Sequence, residues 1–186
     1  MKKLVIIGAN DFQNQLILKA KSLGYETHVF AWEEGAVGKS TADYFYPISI
    51  VEKEEILDKC KQIKPDGVCS IASDLASITV NYVAENLGLP CNKMKYSAIQ
   101  TNKYKMREAF MAAGLPCPKF VLADENFDES QVKDFKFPII VKPTDRSGSR
   151  NIMKLESTDG LLKAIKEACE TSFEKKAIVE EYNKAE

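Results

Sequence analysis

Short apolar runs alternate with amphipathic segments along the first half of the chain. The runs predict strands and the segments between them predict helices, because apolar residues in the segments recur at helical spacing. Strands that alternate with helices indicate a parallel sheet, in which ligands bind beyond the carboxyl ends of the strands. The loops after Ile7, Phe30 and Ile71 therefore lie at the edge where we expect function. The predicted strands are 4–7, 27–30, 44–48 and 67–71. One predicted helix ends near Leu23, and two more span 52–63 and 75–87.

The second half of the chain has a different pattern. The parallel pattern ends near 90–96, which predicts a boundary between a first domain at 1–95 and a second domain at 96–186. A helix is expected to begin around 101–103, and Thr158 and Asp159 are candidate caps for a later one. The further predicted strands are 119–122, 138–142, 151–155 and 177–182, and the later helix is 157–169.

The stretch 137–152 contains the strongest candidate chemistry. A continuous apolar run predicts a short strand that is covered on both faces and closes at Lys142. An ammonium group that leaves a buried strand needs an anion or water at its tip, since an unpaired buried charge is costly. Ser147, Gly148 and Ser149 follow, with an arginine on either side, and offer hydroxyl and backbone N–H groups to phosphate oxygens. The pattern predicts a nucleotide-phosphate cover.

The segment 145–151 also has a simpler interpretation. Gly, Ser, Asp and Asn are ordinary turn formers, so the loop taken alone favours a plain hairpin turn. It is not a Walker A loop, because no Gly-Lys-Ser/Thr ends it and no long helix pattern follows. A strand, a cationic loop and a second strand nevertheless form the arrangement of a flap over a ligand.

The loop after the first strand argues against a dinucleotide cofactor. It reads Gly8-Ala-Asn-Asp-Phe-Gln13, so only the first of three fingerprint glycines is present, and Asp11 would place a negative charge beside a pyrophosphate. At the same edge, Asp74 is expected to be a helix N-cap rather than a substrate contact.

Two further residues have both a structural and a functional interpretation. Lys103 falls in the first turn of a predicted helix, where the helix dipole disfavours a cation, and such exceptions can mark a ligand site. A solvated lysine is the simpler explanation. His28 is the single histidine and sits in a strand pattern, which favours a structural role.

Composition excludes several classes of protein. There are 26 Lys and Arg against 27 Asp and Glu, a formal net charge of -1, so nothing indicates a nucleic-acid or membrane partner. The five cysteines have no CxxC spacing, and no apolar run is long enough to span a bilayer. We expect a soluble, reduced, cytoplasmic protein.

The motifs together resemble those of the ATP-grasp superfamily, most closely its carbamoyl-phosphate-synthase-like and amino-acid-ligase branch. They are Leu87-Gly-Leu-Pro90, Thr101-Asn-Lys103, Ala113-Gly-Leu-Pro-Cys-Pro118, Pro138-Ile-Ile-Val-Lys-Pro143 with Ser147-Gly-Ser-Arg150, and Ile178-Val-Glu-Glu-Tyr182. The resemblance implies an α/β chain with a Rossmann-like parallel-sheet pre-ATP-grasp domain, followed by a partial α+β ATP-grasp subdomain.

The resemblance also implies a site and cofactors. Lys103 and Lys142 would each bind nucleotide phosphates, with Lys142 also near the adenine side. Ser147, Gly148 and Ser149 would close over the β- and γ-phosphates, and the backbone of Glu180, Glu181 and Tyr182 would form the hinge that recognises adenine. ATP and Mg²⁺ would be the cofactors, with the Mg²⁺ ligands expected in a C-terminal part that the chain lacks. Two departures from the family pattern are Asn151, where many relatives carry Gly, and Asn102, where Asp is usual.

The implied function is ATP-dependent ligation of a small carboxylate to an amine or another nucleophile through an acyl phosphate, with no nucleophilic side chain required. The chain stops soon after a strand that should be functional, so we expect a truncated product that is inactive alone and a possible homo-oligomer. The alternative is a non-catalytic nucleotide-binding or regulatory module. An oxidoreductase of Rossmann type is weakened by the loop at 8–13.

Overall fold

The computed structural model describes residues 1–183. The chain divides into two compact units, Met1–Ser97 and a second unit that begins at Ala98. It is a mixed α/β protein, with a parallel sheet in the first unit and an antiparallel sheet in the second. Within the described residues, no helix is long and apolar enough to cross a bilayer.

The first unit is a four-stranded parallel sheet between helices. The strand order is β3-β2-β1-β4, and Val5 of the first strand lies opposite His28 and Val68. The parallel sheet predicted from the pattern is confirmed. The elements are β1 (Lys3–Ile7), α1 (Asp11–Ser22), β2 (Glu26–Phe30), β3 (Tyr44–Tyr46), α2 (Lys53–Ile63), β4 (Gly67–Cys69) and α3 (Asp74–Asn86).

Alternate residues of the strands point to opposite faces, so helices cover both sides of this sheet. On one face Val5 and Ile7 pack with residues of α2 and α3, and on the other face Ile6 packs with Ile17 of α1. His28 is 4% exposed and bonds Tyr46 Oη and Glu26 through its two ring nitrogens, at 2.9 and 2.8 Å. Its contacts are therefore those of a residue that holds strands together.

The second unit contains a four-stranded antiparallel sheet with the order β5-β8-β6-β7. The elements from residue 97 onward are α4 (Ser97–Thr101), α5 (Lys103–Ala112), β5 (Phe120–Ala123), β6 (Ile139–Pro143), β7 (Met153–Leu155), α6 (Leu161–Thr171) and β8 (Ala177–Glu181). Helix α6 packs its apolar face, including Leu161 and Ile165, onto Ile139, Val141 and Val179.

The expectation that β6 is covered on both faces is wrong. Ile139 and Val141 are fully buried beneath α6, whereas Ile140 and Lys142 on the opposite face are partly exposed. The strand alternates between buried and partly exposed residues, as the antiparallel pairing shows. The sequence does not show this alternation, because every residue of the strand before Lys142 is apolar. The partly open face of the sheet is the one that carries the lysine.

Two predicted helix starts are also corrected. Helix α6 begins at Leu161 rather than at 157, because Gly160 adopts a left-handed φ of 78° while Ser157 and Asp159 bond each other instead of capping the helix. Asp74 is the first residue of α3 and not its cap. The cap is Ser73, whose side chain accepts a hydrogen bond from Ala76 N at 3.2 Å.

Candidate nucleotide site

The start of α5 lies against the end of β6. Lys103 donates its backbone N–H to Thr144 O at 2.8 Å, and its ammonium group donates to Arg146 O. Asn102 caps the helix by accepting from Lys105 N at 3.1 Å. The structure thus brings Lys103 to the segment that follows Lys142, as a shared phosphate site requires.

Asn102 uses both ends of its side-chain amide. It is 5% exposed, and its side-chain amide donates to Glu174 Oε2 at 2.9 Å while its Oδ1 caps α5. An aspartate could cap the helix equally well, but it would place a second carboxylate against Glu174. The amide therefore suits this chain because it supplies both an acceptor and a donor.

Lys142 lies in a cluster of three charges on the face of the sheet opposite α6. Its ammonium group donates to Glu180 Oε1, and Arg107 Nε donates to Glu180 Oε2 at 2.9 Å. Glu180 is only 5% exposed. Burial raises the pKa of Glu180, but the hydrogen bonds from Arg107 and Lys142 outweigh that effect and hold it below its ordinary value. The cluster therefore carries two positive charges and one negative charge.

The segment Asp145–Asn151, which we call the cationic loop, is anchored at both ends. The carboxylate of Asp145 accepts from Phe173 N at 3.0 Å and from Glu174 N at 2.8 Å. Asn151 has a left-handed φ of 52°, and its side-chain amide donates to Glu167 O and Thr171 Oγ1. Asparagine tolerates this left-handed conformation better than most residues do.

The middle of the cationic loop is open. Ser147, Gly148 and Ser149 are exposed, and the latter two have left-handed φ values of 73° and 53°. The Arg146 guanidinium stacks over the Phe173 ring at 4.3 Å, and its Nε is buried with no hydrogen-bond partner among the described residues. A loop with exposed hydroxyls and an unmet cationic donor fits an anionic ligand.

The predicted hinge is partly engaged in the sheet. Glu181 donates its N–H to Lys119 O and Tyr182 donates to Pro138 O, both at 2.9 Å. A cavity of about 320 Å³ lies beside them. Any base bound there would have to contact backbone groups other than these two N–H groups. The cavity is lined by Pro116, Cys117, Pro118, Lys136, Phe137, Glu181, Tyr182 and Asn183.

The first unit has a smaller pocket of about 200 Å³ at the carboxyl ends of its strands, lined by Gly8, Asn10, Trp32, Ser49 and Ser73 among others. Its first loop is closed by its own side chains: Asn10 Oδ1 accepts from Phe12 N and Gln13 N, and Asn10 N donates to Gln13 Oε1 at 3.1 Å. These N–H groups are not available to a pyrophosphate.

The residues described here do not fit a Mg²⁺ ion. Among residues 1–183, no group of three or more His, Cys, Asp or Glu side chains could hold a metal. Asp145, the acidic residue of the cationic loop, already accepts two backbone hydrogen bonds.

Arg107 contacts the candidate site through Glu180, but the sequence did not predict it as a site residue. It lies four residues after Lys103 on α5, so the two side chains share one face of the helix. That spacing was the available signal. It could not identify Glu180 as the partner, because the two residues are 73 positions apart.

Known proteins resemble this chain in sequence. Residues 109–186 match the family model described as D-ala D-ala ligase C-terminus. The formate-dependent phosphoribosylglycinamide formyltransferase of Prochlorococcus marinus subsp. pastoris is 26% identical over 92% of this chain and 44% of that protein. The D-alanine–D-alanine ligase B of Chromobacterium violaceum is 33% identical over 56% of this chain and 35% of that protein. The chain thus spans less than half the length of these relatives.

Solved structures share the fold. The biotin carboxylase domain dimer of 2-oxoglutarate carboxylase from Hydrogenobacter thermophilus, in complex with MgADP, ADP and bicarbonate, has a TM-score of 0.78. The match has 20% identity and covers 97% of this chain and 44% of that one. The family model and the two relatives confirm the resemblance to the ATP-grasp superfamily that the sequence motifs predicted, and the solved structure adds a likeness of fold.

Proposed function

We propose that the second unit binds an adenine nucleotide, and that the chain is the nucleotide-binding part of an ATP-dependent ligase that joins a carboxylate to an amine or another nucleophile. One observation supports this most: Lys103 of α5 donates to Thr144 O and to Arg146 O, both in the segment that follows Lys142 of β6. The relatives support it as well, since they include a formate-dependent formyltransferase and a D-alanine ligase.

In this proposal each part of the site acts on one part of the nucleotide. Lys103 and Lys142 neutralise phosphate charge, Ser147, Gly148 and Ser149 close over the β- and γ-phosphates, and the cavity beside Glu181 and Tyr182 receives the adenine. Phosphoryl transfer to a carboxylate yields an acyl phosphate, which the nucleophile then attacks with loss of phosphate. Positioning and charge neutralisation supply most of such catalysis, so no nucleophilic side chain is needed.

Mg²⁺ would supply further charge neutralisation in such a reaction, but the described residues provide no ligand set for it, and we assign its coordination to none of them. We therefore propose that the 186-residue chain alone binds nucleotide without turning it over. ADP release by the purified chain, measured with and without candidate carboxylates, tests this part. Sustained carboxylate-stimulated release would contradict it. If the gene encodes a longer protein, the absence of release by that protein would favour the alternative of a non-catalytic module.

The first unit has a separate role in the proposal. We infer that its 200 Å³ pocket receives part of the second substrate, because ligands of parallel sheets bind at the carboxyl ends of the strands. The strand order β3-β2-β1-β4 supports a Rossmann-like pre-ATP-grasp domain that ends near residue 95. A cytoplasmic location and a homo-oligomer complete the proposal, the latter suggested by the dimer of the biotin carboxylase domain.

Titration calorimetry with ADP tests the nucleotide site. Each charge-assisted hydrogen bond should contribute about 1.5 to 3 kcal/mol, so Lys142→Ala should weaken ADP binding by about 10- to 150-fold. The matched control is Lys163→Ala, which removes a lysine that is 82% exposed on α6. Equal affinity of Lys142→Ala and the wild-type chain, with circular dichroism showing an intact fold, would remove Lys142 from the site.

A further inference from the structure

The charged cluster contains a residue with no role in the proposed site so far. Arg107 is on α5, Glu180 is on β8 and Lys142 is on the neighbouring strand β6. Each oxygen of the Glu180 carboxylate has one cationic donor, Lys142 at Oε1 and Arg107 at Oε2. The side chains of Lys142 and Arg107 are 17% and 25% exposed.

In this arrangement the ammonium group of Lys142, which we propose binds phosphate, is already bonded to Glu180. A lysine that is bonded to a nearly buried carboxylate must leave it, or share it, to bind phosphate. If Glu180 had no other cation, the departure of Lys142 would strand a buried negative charge, which costs free energy. Arg107 removes that cost, because its guanidinium keeps the carboxylate paired through the other oxygen. A guanidinium suits the role since it stays protonated at any ordinary pH.

We propose that Arg107 is a positioning residue for nucleotide binding: it holds Glu180 so that Lys142 can exchange the carboxylate for a phosphate. This inference rests on the proposed function, since it requires that Lys142 binds the nucleotide. Arg107 itself need not touch the ligand. The cluster keeps one excess positive charge, which becomes available to an anion only while Arg107 is present.

The test is the affinity for ADP, measured by titration calorimetry on the full chain. Arg107→Ala should weaken ADP binding about tenfold or more, because Lys142 then becomes the sole partner of Glu180. Arg107→Lys should recover most of the affinity, since it restores a cation. The double variant Arg107→Ala with Glu180→Gln should bind within about threefold of the wild-type chain, because the amide no longer competes for Lys142 and the net charge of the cluster returns to its original value.

The double variant separates positioning from a merely structural role. If Arg107 only held α5 on the sheet, or contacted ADP directly, removal of the Glu180 charge would not restore affinity, and that result would overturn the inference. Wild-type affinity in Arg107→Ala would overturn it too. Should Arg107→Ala fail to fold, the isosteric Glu180→Gln variant decides alone: we expect ADP affinity equal to or above that of the wild type, and a tenfold loss would contradict the exchange.

Failure of the proposed function has a different signature. A wild-type chain with an intact fold and no saturable ADP binding, or a Lys142→Ala variant with unchanged affinity, would reject the nucleotide site itself. Dependence on Lys142 together with the absence of rescue in the double variant would reject only the role of Arg107.

Discussion

Two loops of this chain follow a strand and contain a glycine, yet they differ in how their polar groups are used. The first-strand loop, Gly8–Gln13, satisfies its N–H groups with its own side chains, chiefly those of Asn10 and Gln13. The cationic loop is fixed only at its ends and leaves Ser147–Arg150 exposed. A glycine after a strand therefore does not by itself indicate a phosphate site, whereas exposed hydroxyls and an unmet donor beside it favour one.

The two glycines should respond differently to substitution. Gly8 has a φ of 100°, and an added Cβ would lie 3.1 Å from the Gln13 side chain, which hydrogen bonds to Asn10 N and Ile71 O hold in place. Left-handed strain and overpacking together predict a loss of about 2 to 4 kcal/mol for Gly8→Ala. Gly148 has a φ of 73° and open space around it, so Gly148→Ala should cost only about 1 to 2 kcal/mol.

Urea unfolding measures both effects. The single tryptophan, Trp32, reports on the first unit, and far-ultraviolet circular dichroism reports on the whole chain. A greater loss for Gly148→Ala than for Gly8→Ala would show that the cationic loop is the more tightly packed of the two.

Side-chain deletions should separate stability from binding. Asn10→Ala removes the cap of α1 and should lower stability by about 1 kcal/mol while leaving ADP affinity unchanged. Ser147→Ala combined with Ser149→Ala removes two exposed hydroxyls and should leave stability within about 0.5 kcal/mol, but weaken ADP binding several-fold. Two results would contradict this difference between the loops: a serine double variant that changes only stability, or an Asn10→Ala variant that changes only ADP affinity.

Acid should affect the two units through different carboxylates. Hydrogen bonds from Lys21 and Thr27 lower the pKa of Asp43 to about 2, and the pKa of Glu180 is also lowered despite its burial. A lowered pKa in the folded state adds stability above the ordinary pKa, and this stability is lost as the pH falls through the folded-state value.

Both units should therefore lose stability below about pH 4. Asp43→Asn should flatten the pH dependence of the unfolding transition that Trp32 fluorescence reports. Glu180→Gln should flatten the pH dependence of the unfolding transition of the second unit, which circular dichroism follows. Unchanged pH profiles in both variants would show that neither carboxylate titrates differently in the folded and unfolded states.

The smallest expected effect is spectroscopic. Trp32 is 66% exposed and lines the pocket of the first unit. ADP at the cationic loop should leave its emission unchanged, whereas a substrate that enters the first-unit pocket should shift or quench it. A change with ADP alone, at concentrations that saturate binding, would place the nucleotide at the wrong loop.

The sequence predicted the order of elements because apolar periodicity records which faces are buried. It also singled out Lys103 and Lys142, since each is a cation where local rules disfavour one. It failed where a partner is distant in the chain: Arg107 bonds Glu180, and Asp145 accepts from Phe173 N and Glu174 N. Local composition contains no information about such pairs.

Backbone conformation limited the prediction in a second way. Thr158 and Asp159 have the composition of helix caps, but the left-handed turn at Gly160 delays the helix to Leu161. Asn151 has a left-handed φ and donates to Glu167 O and Thr171 Oγ1 of α6, and neither feature could be predicted from the residues around it in the sequence.

Amide chemical shifts during an ADP titration would locate the bound nucleotide. If ADP binds the second unit, a ¹⁵N-labelled chain should show saturable shifts for Lys103, Lys142 and Ser147–Arg150, with the amides of Gly8–Gln13 unmoved because their hydrogen bonds are already made. Shifts confined to Gly8–Gln13, with the cationic loop unchanged, would contradict the placement of the nucleotide in the second unit.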